Sequence, residues 1–175
     1  MRRSLRDEVN KKGAFEASEQ EAWLNIIRTA AVLNSAFTKL FRKHGLSDPS
    51  YNVLRILRGS GPEGRPMGEI APDLVAPGPD VTRIVDRLET KGLVSRTRGA
   101  KDRRVVRVTI SEAGLERLRA LDEPLMALHK AQLGHMSASD LQQLSRLLEE
   151  ARSETDPDAE PGLASDNSSP PDHSA

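Results

Sequence analysis

Nine lysines and arginines crowd the stretch from Arg83 to Arg107 against three acids, a local charge of +6 in a chain whose formal net charge is zero. Within it, Thr82, Arg83, Asp86 and Arg87 share one side of a helical repeat. Arg98, Lys101, Asp102, Arg103 and Arg104 cluster around Gly99 and Ala100. Cationic groups at this density are not an apparatus for making or breaking bonds. They suit phosphate oxygens and the acceptor-rich edges of bases. A solvated helix face or a charged hairpin edge would each look ordinary alone. A basic helix face followed at once by a basic hairpin tip is a shape that grips duplex DNA.

The elements that must position these groups are legible around them. Val81, Ile84, Val85 and Leu88 fall at i, i+3, i+4 and i+7, which predicts a helix with its apolar face opposite the basic one. Pro79 suits the first turn of that helix, and Gly92 after Lys91 marks its end. Leu93 and Val94 open a strand, and Val106, Val108 and Ile110 alternate along a second, so the basic cluster forms the tip of a hairpin.

Upstream, Ser18 with Glu21 reads as a capping box. The helix it opens carries Trp23, Ile26, Ile27, Ala30, Leu33, Phe37, Leu40 and Phe41 and ends near His44 and Gly45. So wide a stripe asks for a partner, which a second subunit would supply. A second helix, capped by Ser47 or Asp48 with Pro49 in its first turn, turns Tyr51, Val53, Leu54 and Leu57 inward and Arg55 and Arg58 outward. A short third helix is expected within Met67–Val75, despite Pro72. Downstream, Ser111 caps a leucine-rich fifth helix that Pro124 should kink and Gly134 ends. Ser137 with Asp140 starts a sixth, striped by Leu141, Leu144, Leu147, Leu148 and Ala151.

The expected fold class is therefore mostly α (α+β), with six helices and a small β-wing. Residues 1–15 form a flexible N-terminal extension, frayed or a short helical piece. Residues 16–45 and 111–152 form a helical dimerisation lobe, and residues 46–110 a winged helix-turn-helix DNA-binding domain. Residues 153–175 form a disordered acidic tail: from Glu149 to Ala175 eight acids face one arginine, with too little apolar surface to offset ordering.

Several function classes are excluded or disfavoured. With no cysteine, disulfides, Cys-based zinc sites and thiol redox switches are out. The four histidines lack metal-ligand spacing, so no metal and no cofactor are expected. No nucleophile elbow, phosphate loop or dinucleotide fingerprint occurs, so no enzyme is expected. No long apolar run or signal-peptide core is present; the expectation is a cytoplasmic protein with no membrane association.

The segment DVTRIVDRLETKGLVSR, followed by KDRRVVRVTISEAG, resembles the MarR (multiple-antibiotic-resistance regulator) family of winged-helix regulators. Three separated marks carry the resemblance: the T-R-x-V-D-R-L-E-x-K-G-L-V helix end, the D-R-R of the wing, and the S-E-A-G that opens the next helix. Similarity in helix order runs from about Ser18 to Arg152. The resemblance implies that Thr82, Arg83 and Arg87 face the major groove, that Arg103 reaches the minor groove, and that Asp102 helps hold the wing. Arg98, Lys101 and Arg104 are further candidates for DNA binding on the wing, with Arg104 second to Arg103 in the match to the D-R-R mark. It also implies a pocket for small aromatic or carboxylic effectors between the two lobes. Trp23, Phe37, Tyr51 and Arg55 are the candidates to line it. Members that bind urate carry an acid shortly after the aromatic of the second helix; here Asn52 follows Tyr51.

The function this implies is a ligand-responsive repressor that binds a pseudopalindromic operator in double-stranded DNA as a homodimer. The rival reading is a winged-helix module for protein–protein contact with no DNA role, its wing pairing with acidic partners and its acidic tail serving as a second binding element.

Overall fold

The amphipathic stretch around Val81 does form a helix, and the rest of the structure is arranged to receive its apolar face. The structure is a computed structural model and describes residues 3–76, 78, 80–98 and 105–153. In chain order its elements are α1 (Leu5–Glu8), α2 (Ser18–Lys43), α3 (Asp48–Gly59), β1 (Arg65–Pro66), two 3-10 turns (Met67–Glu69 and Ala71–Asp73), α4 (Val81–Thr90), β2 (Val94–Arg98), β3 (Val106–Ile110), α5 (Glu112–Leu133) and α6 (Ala138–Ser153). Residues up to Leu133 form one compact unit, and α6 belongs to a second.

Val81, Ile84, Val85 and Leu88 are all buried. At roughly 1.5–3 kcal/mol per fully buried aliphatic side chain, this face outweighs every polar contact α4 makes. It meets Val53, Leu54 and Leu57 of α3, Val94 and Val108 of the sheet, and Ile70 from between the 3-10 turns. The same cluster includes Phe41 near the end of α2 and Leu118 and Leu121 of α5. The two long helices thus contribute to the core around α4, and the core does not divide at residue 110.

Local signals explain the boundaries. Ser47 caps α3 by accepting from the backbone N–H of Ser50 at 3.3 Å, with Pro49 in the first turn. Gly92 takes φ of +68° after α4; its N–H reaches the carbonyl of Glu89 and that of Leu93 reaches Leu88, a paired closure that buries Leu93 beside the helix it ends. Ser111 accepts from the N–H of Gly114 at 3.1 Å and so caps α5, while its own hydroxyl donates to the carbonyl of Gly92. Helix α5 runs on through Pro124. In the second unit, Ser137 accepts from the N–H of Asp140 at 3.1 Å and caps α6.

Three expectations need correction. The hairpin is part of a three-stranded antiparallel sheet in the order β1-β3-β2, because Arg65 and Pro66 pair with Val108 and Arg107. The third helix is two 3-10 turns: Pro72 lacks the N–H a continuous α-helix would use, and the bonds that form are short-range, Ile70 to Met67 and Leu74 to Ala71. The Ser18 capping box does not form. Ala17 takes the extended capping conformation, Ser18 is already helical, and its hydroxyl donates to Glu19. Within residues 1–15, Leu5–Glu8 form a helical turn, α1, with a reciprocal Ser4–Asp7 cap, a buried Leu5, and a Glu8–Arg28 ion pair of 3.2 Å onto α2. The hydrogen bonds from Ser4 hold the exposed Asp7 carboxyl below its ordinary pKa. Pro79, the wing tip (residues 99–104) and the acidic tail (residues 154–175) lie outside the described residues.

Gly64, just before β1, has φ of +63°, and a Cβ there would collide with the carbonyl oxygen of Val108. Gly64→Ala is therefore expected to cost about 2 kcal/mol or more in urea denaturation. Gly59→Ala, at a helical position with open space around it, should be neutral or stabilise by about 0.5 kcal/mol. Equal midpoints for the two variants would contradict this account of the β1 turn.

Candidate nucleic-acid interface

The outward face of α4 presents Thr82, Arg83, Asp86 and Arg87, all exposed. Its orientation is fixed from behind by the buried apolar face and from the side by Arg96. Arg96 stands on β2 at the same parity as the buried Val94, so its side chain turns towards α4 and is only 25% exposed. One guanidinium nitrogen pairs with Asp86 and donates to the carbonyl of Thr82 at 3.3 Å. The other lies 3.3 Å from Glu89. The backbone N–H of Arg96 donates to Glu89 at 3.2 Å. One arginine thus ties the wing strand to the helix at three of its residues. Its Nε is buried with no hydrogen-bond partner among the described residues, so the desolvation is not fully offset.

This contact changes the reading of the local charge. Of the cations from Arg83 to Arg107, Arg96 is neutralised by Asp86 and Glu89. Arg107 donates to the carbonyls of Glu63 at 2.8 Å and Gly64 at 2.9 Å, pinning the turn before β1. Lys91 donates to the carbonyl of Gly45 at 2.8 Å, fastening the end of α4 to the end of α2. Arg83 is held by Asp80 at 3.1 Å. Arg87 and Arg98 are exposed and have no ion-pair partner among the described residues. Three of the cations that gave the stretch its character are therefore structural. Lys101, Asp102, Arg103 and Arg104 lie outside the described residues.

Sequence reasoning missed Arg96 as an anchor, although a signal was there. An arginine at the inward parity of a strand needs a carboxylate, and Asp86 and Glu89, three apart, lie on one side of α4. It also missed Asp80, whose carboxylate caps α4 by accepting from the N–H of Arg83 at 3.1 Å.

The proposed effector residues are only partly brought together. Phe41 stacks on Tyr51 with centroids 4.3 Å apart, and Phe37 lies 6.4 Å from Phe41 and 4.9 Å from His129. Tyr51 is half-buried, and burial pushes its hydroxyl above the ordinary pKa against the opposing pull of the Arg58 and Arg55 charges. Arg58 pairs with Asp122 of α5 at 2.9 Å, and Arg55 is exposed. Trp23 does not join this cluster: it is 60% exposed and, at 1.5 Å per residue, lies about 21 Å along α2 from Phe37. Among the described residues no group of three His, Asp or Glu is placed to hold a metal ion, and no helix is long and apolar enough to cross a membrane.

Comparison with known proteins gives concordant matches. The family model described as the MarR family matches residues 46–106. A MarR transcription factor of known structure from Planctomyces limnophilus is 43% identical, with 78% of this chain and 98% of that chain covered and a TM-score of 0.61. The helix-turn-helix transcriptional repressor IacR of Pseudomonas putida is 31% identical over 111 residues, 63% of this chain and 65% of the repressor. The chain spans between about half and two thirds of the length of the first curated relatives it matches. The structure of S. aureus MepR in complex with DNA shares the fold, with a TM-score of 0.67 at 17% identity and with 79% of this chain and 97% of that chain covered.

If Arg96 joins wing and helix, its energy should be shared with Asp86. A double-mutant cycle of Arg96→Met and Asp86→Asn, read by urea denaturation, should give a coupling of about 1 kcal/mol, the range for a partly exposed pair with good geometry. Strict additivity would show that the contact carries no stability.

Proposed function

The chain belongs to the MarR family of transcriptional regulators, and from that premise we propose that it is a repressor that binds a pseudopalindromic operator as a homodimer and leaves it when a small effector binds. The observation that carries this reading is the outward face of α4, exposed, basic and held at a fixed angle to the wing strand by Arg96. A winged-helix module that pairs with acidic proteins would not need that face clear of the sheet and of α5. On this reading residues 46–110 are the DNA-binding domain, and residues 16–45 and 111–152 the dimerisation lobe.

In the proposed complex α4 lies in the major groove. Arg87 and Arg98 take phosphates, and Thr82 and Arg83 meet base edges. The wing tip, with Arg103 by resemblance, follows the minor groove, and Lys101 and Arg104 add phosphate contacts beside it. Two copies place two such helices on one face of the duplex, with half-sites about one helical turn apart.

The dimer has its own support. Trp23, Ile26, Ile27 and Val32 of α2 stand exposed to solvent, an apolar stretch that a second copy would cover. The effector would be an aromatic molecule bearing a phenol or carboxylate, set against Phe37 and Tyr51 with Arg55 facing its charge. It would act by favouring a lobe spacing that does not fit successive grooves. A panel of such compounds that leaves operator binding untouched would remove this last element alone.

The central test is a salt titration. Fragments bound from a random duplex pool define the operator, and affinity for it and for a scrambled duplex is then measured with the parent and with Arg87→Ala. The variant should bind both duplexes more weakly. The slope of log affinity against log salt should flatten by roughly one unit per subunit. Unchanged affinity and slope would contradict a phosphate role for Arg87, and no binding of any duplex by the parent would contradict the DNA-binding reading.

Oligomeric state is checked by sedimentation at micromolar concentration. The parent should run as a dimer, since an obligate interface buries on the order of 2,000 Å² or more. Ile27→Glu should shift it towards monomer. A monomeric parent would contradict the proposal.

A further inference from the structure

Asp80 serves the first turn of α4 twice. Its Oδ1 accepts from the backbone N–H of Arg83 at 3.1 Å and caps the helix. Its Oδ2 lies 3.1 Å from Nε of the same arginine. A guanidinium is a planar fork whose donors lie along distinct edges. With the carboxylate drawn against the Nε side as an ion pair, the end edge formed by Nη1 and Nη2 remains without a partner among the described residues. That edge belongs to a side chain 78% exposed on the outward face of α4. An exposed ion pair adds little stability. What this one supplies is direction, because it restricts a long, rotamer-rich side chain at the position where a groove would meet it.

The carboxylate also changes what the arginine can select. A phosphate drawn to the end edge would come close to the negative charge of Asp80, so the gain from pairing with Arg83 would be offset by repulsion. A guanine edge offers two neutral acceptors, O6 and N7, at the spacing of two parallel donors, and carries no charge for Asp80 to repel. Adenine sets an amino donor against the fork, and the pyrimidines lack a second acceptor on that edge. Arg87, one turn further along α4 and without a carboxylate partner among the described residues, has no such constraint and suits a phosphate.

We propose that Asp80 is a specificity-determining residue: it presets Arg83 to read a guanine, rather than a phosphate, in each operator half-site. This rests on the reading of the α4 face as the DNA-binding surface.

The test is a base-by-base affinity profile of the selected operator, with the full-length parent, Arg83→Ala and Asp80→Ser. Serine keeps a capping oxygen but removes the charge and the hold on Nε. Asp80→Asn, also a good cap, replaces it if urea denaturation shows Asp80→Ser to be misfolded. The parent should prefer guanine about tenfold or more at one position per half-site. Arg83→Ala should flatten that position. Asp80→Ser should weaken the preference by severalfold, while affinity for scrambled duplex holds or rises and the salt slope steepens by roughly one unit per subunit as Arg83 turns to a phosphate. A guanine preference left whole in Asp80→Ser, or a parent profile with no guanine position that depends on Arg83, overturns the proposal while leaving DNA binding standing. A parent that binds no duplex overturns the DNA-binding reading and this proposal with it.

Discussion

Burial of one face of α4 is the constraint on which the rest of the molecule depends. Val81, Ile84, Val85 and Leu88 occupy the same core as residues from α3, the sheet, α2 and α5. Four apolar anchors over two turns fix the rotation of the helix about its own axis as well as its position. The opposite face is therefore set without any polar contact: Thr82, Arg83, Asp86 and Arg87 point outward because their neighbours cannot. Since Phe41, Leu118 and Leu121 share this core, a change in how α2 and α5 sit has a direct mechanical route to α4.

Polar contacts then refine what packing has set. Arg96 adds the angle between helix and wing, Lys91 the link between the ends of α4 and α2, and Arg107 the turn that carries β1. Each uses a cation that a charge count would have credited to a nucleic-acid partner. What is left to face a ligand is a smaller and more differentiated set. Arg87 and Arg98 have no ion-pair partner among the described residues, and Arg83 is already paired with Asp80. A surface built this way divides its work between phosphate attraction, which needs charge alone, and base reading, which needs direction as well.

Much of this was visible in the residue pattern, for reasons that can be stated. The apolar repeat of α4, the stop at Gly92, the alternation along β3 and the serine caps at Ser47, Ser111 and Ser137 are local rules acting on adjacent residues, and local rules read well from a single chain. What was not legible depends on residues far apart or on competition between neighbours. Strand β1 has two residues, too few to show a period, and exists because β3 lies alongside it. The capping box at Ser18 lost to Ala17 because an extended backbone at that residue, and not a side-chain oxygen, starts the helix. Pro72 proved strong enough to break an α-helix into 3-10 turns. Trp23 shared an aromatic character with Phe37 and Tyr51, but the length of α2 keeps it away from them. Arg96 was hidden in a charge total, because its partners lie ten and seven residues earlier on another element.

The claim that α4 enters the major groove can be tested by where it cuts DNA. The chain has no cysteine, so Thr82→Cys creates a single site for attaching an iron chelate that cleaves nearby backbone. With operator duplex bound, this account predicts cleavage clusters at two positions about one helical turn apart, one from each subunit. The same chelate on Glu116→Cys of α5 should leave those positions intact. Cleavage from position 116 and none from position 82 would contradict the assignment of α4 as the reading helix.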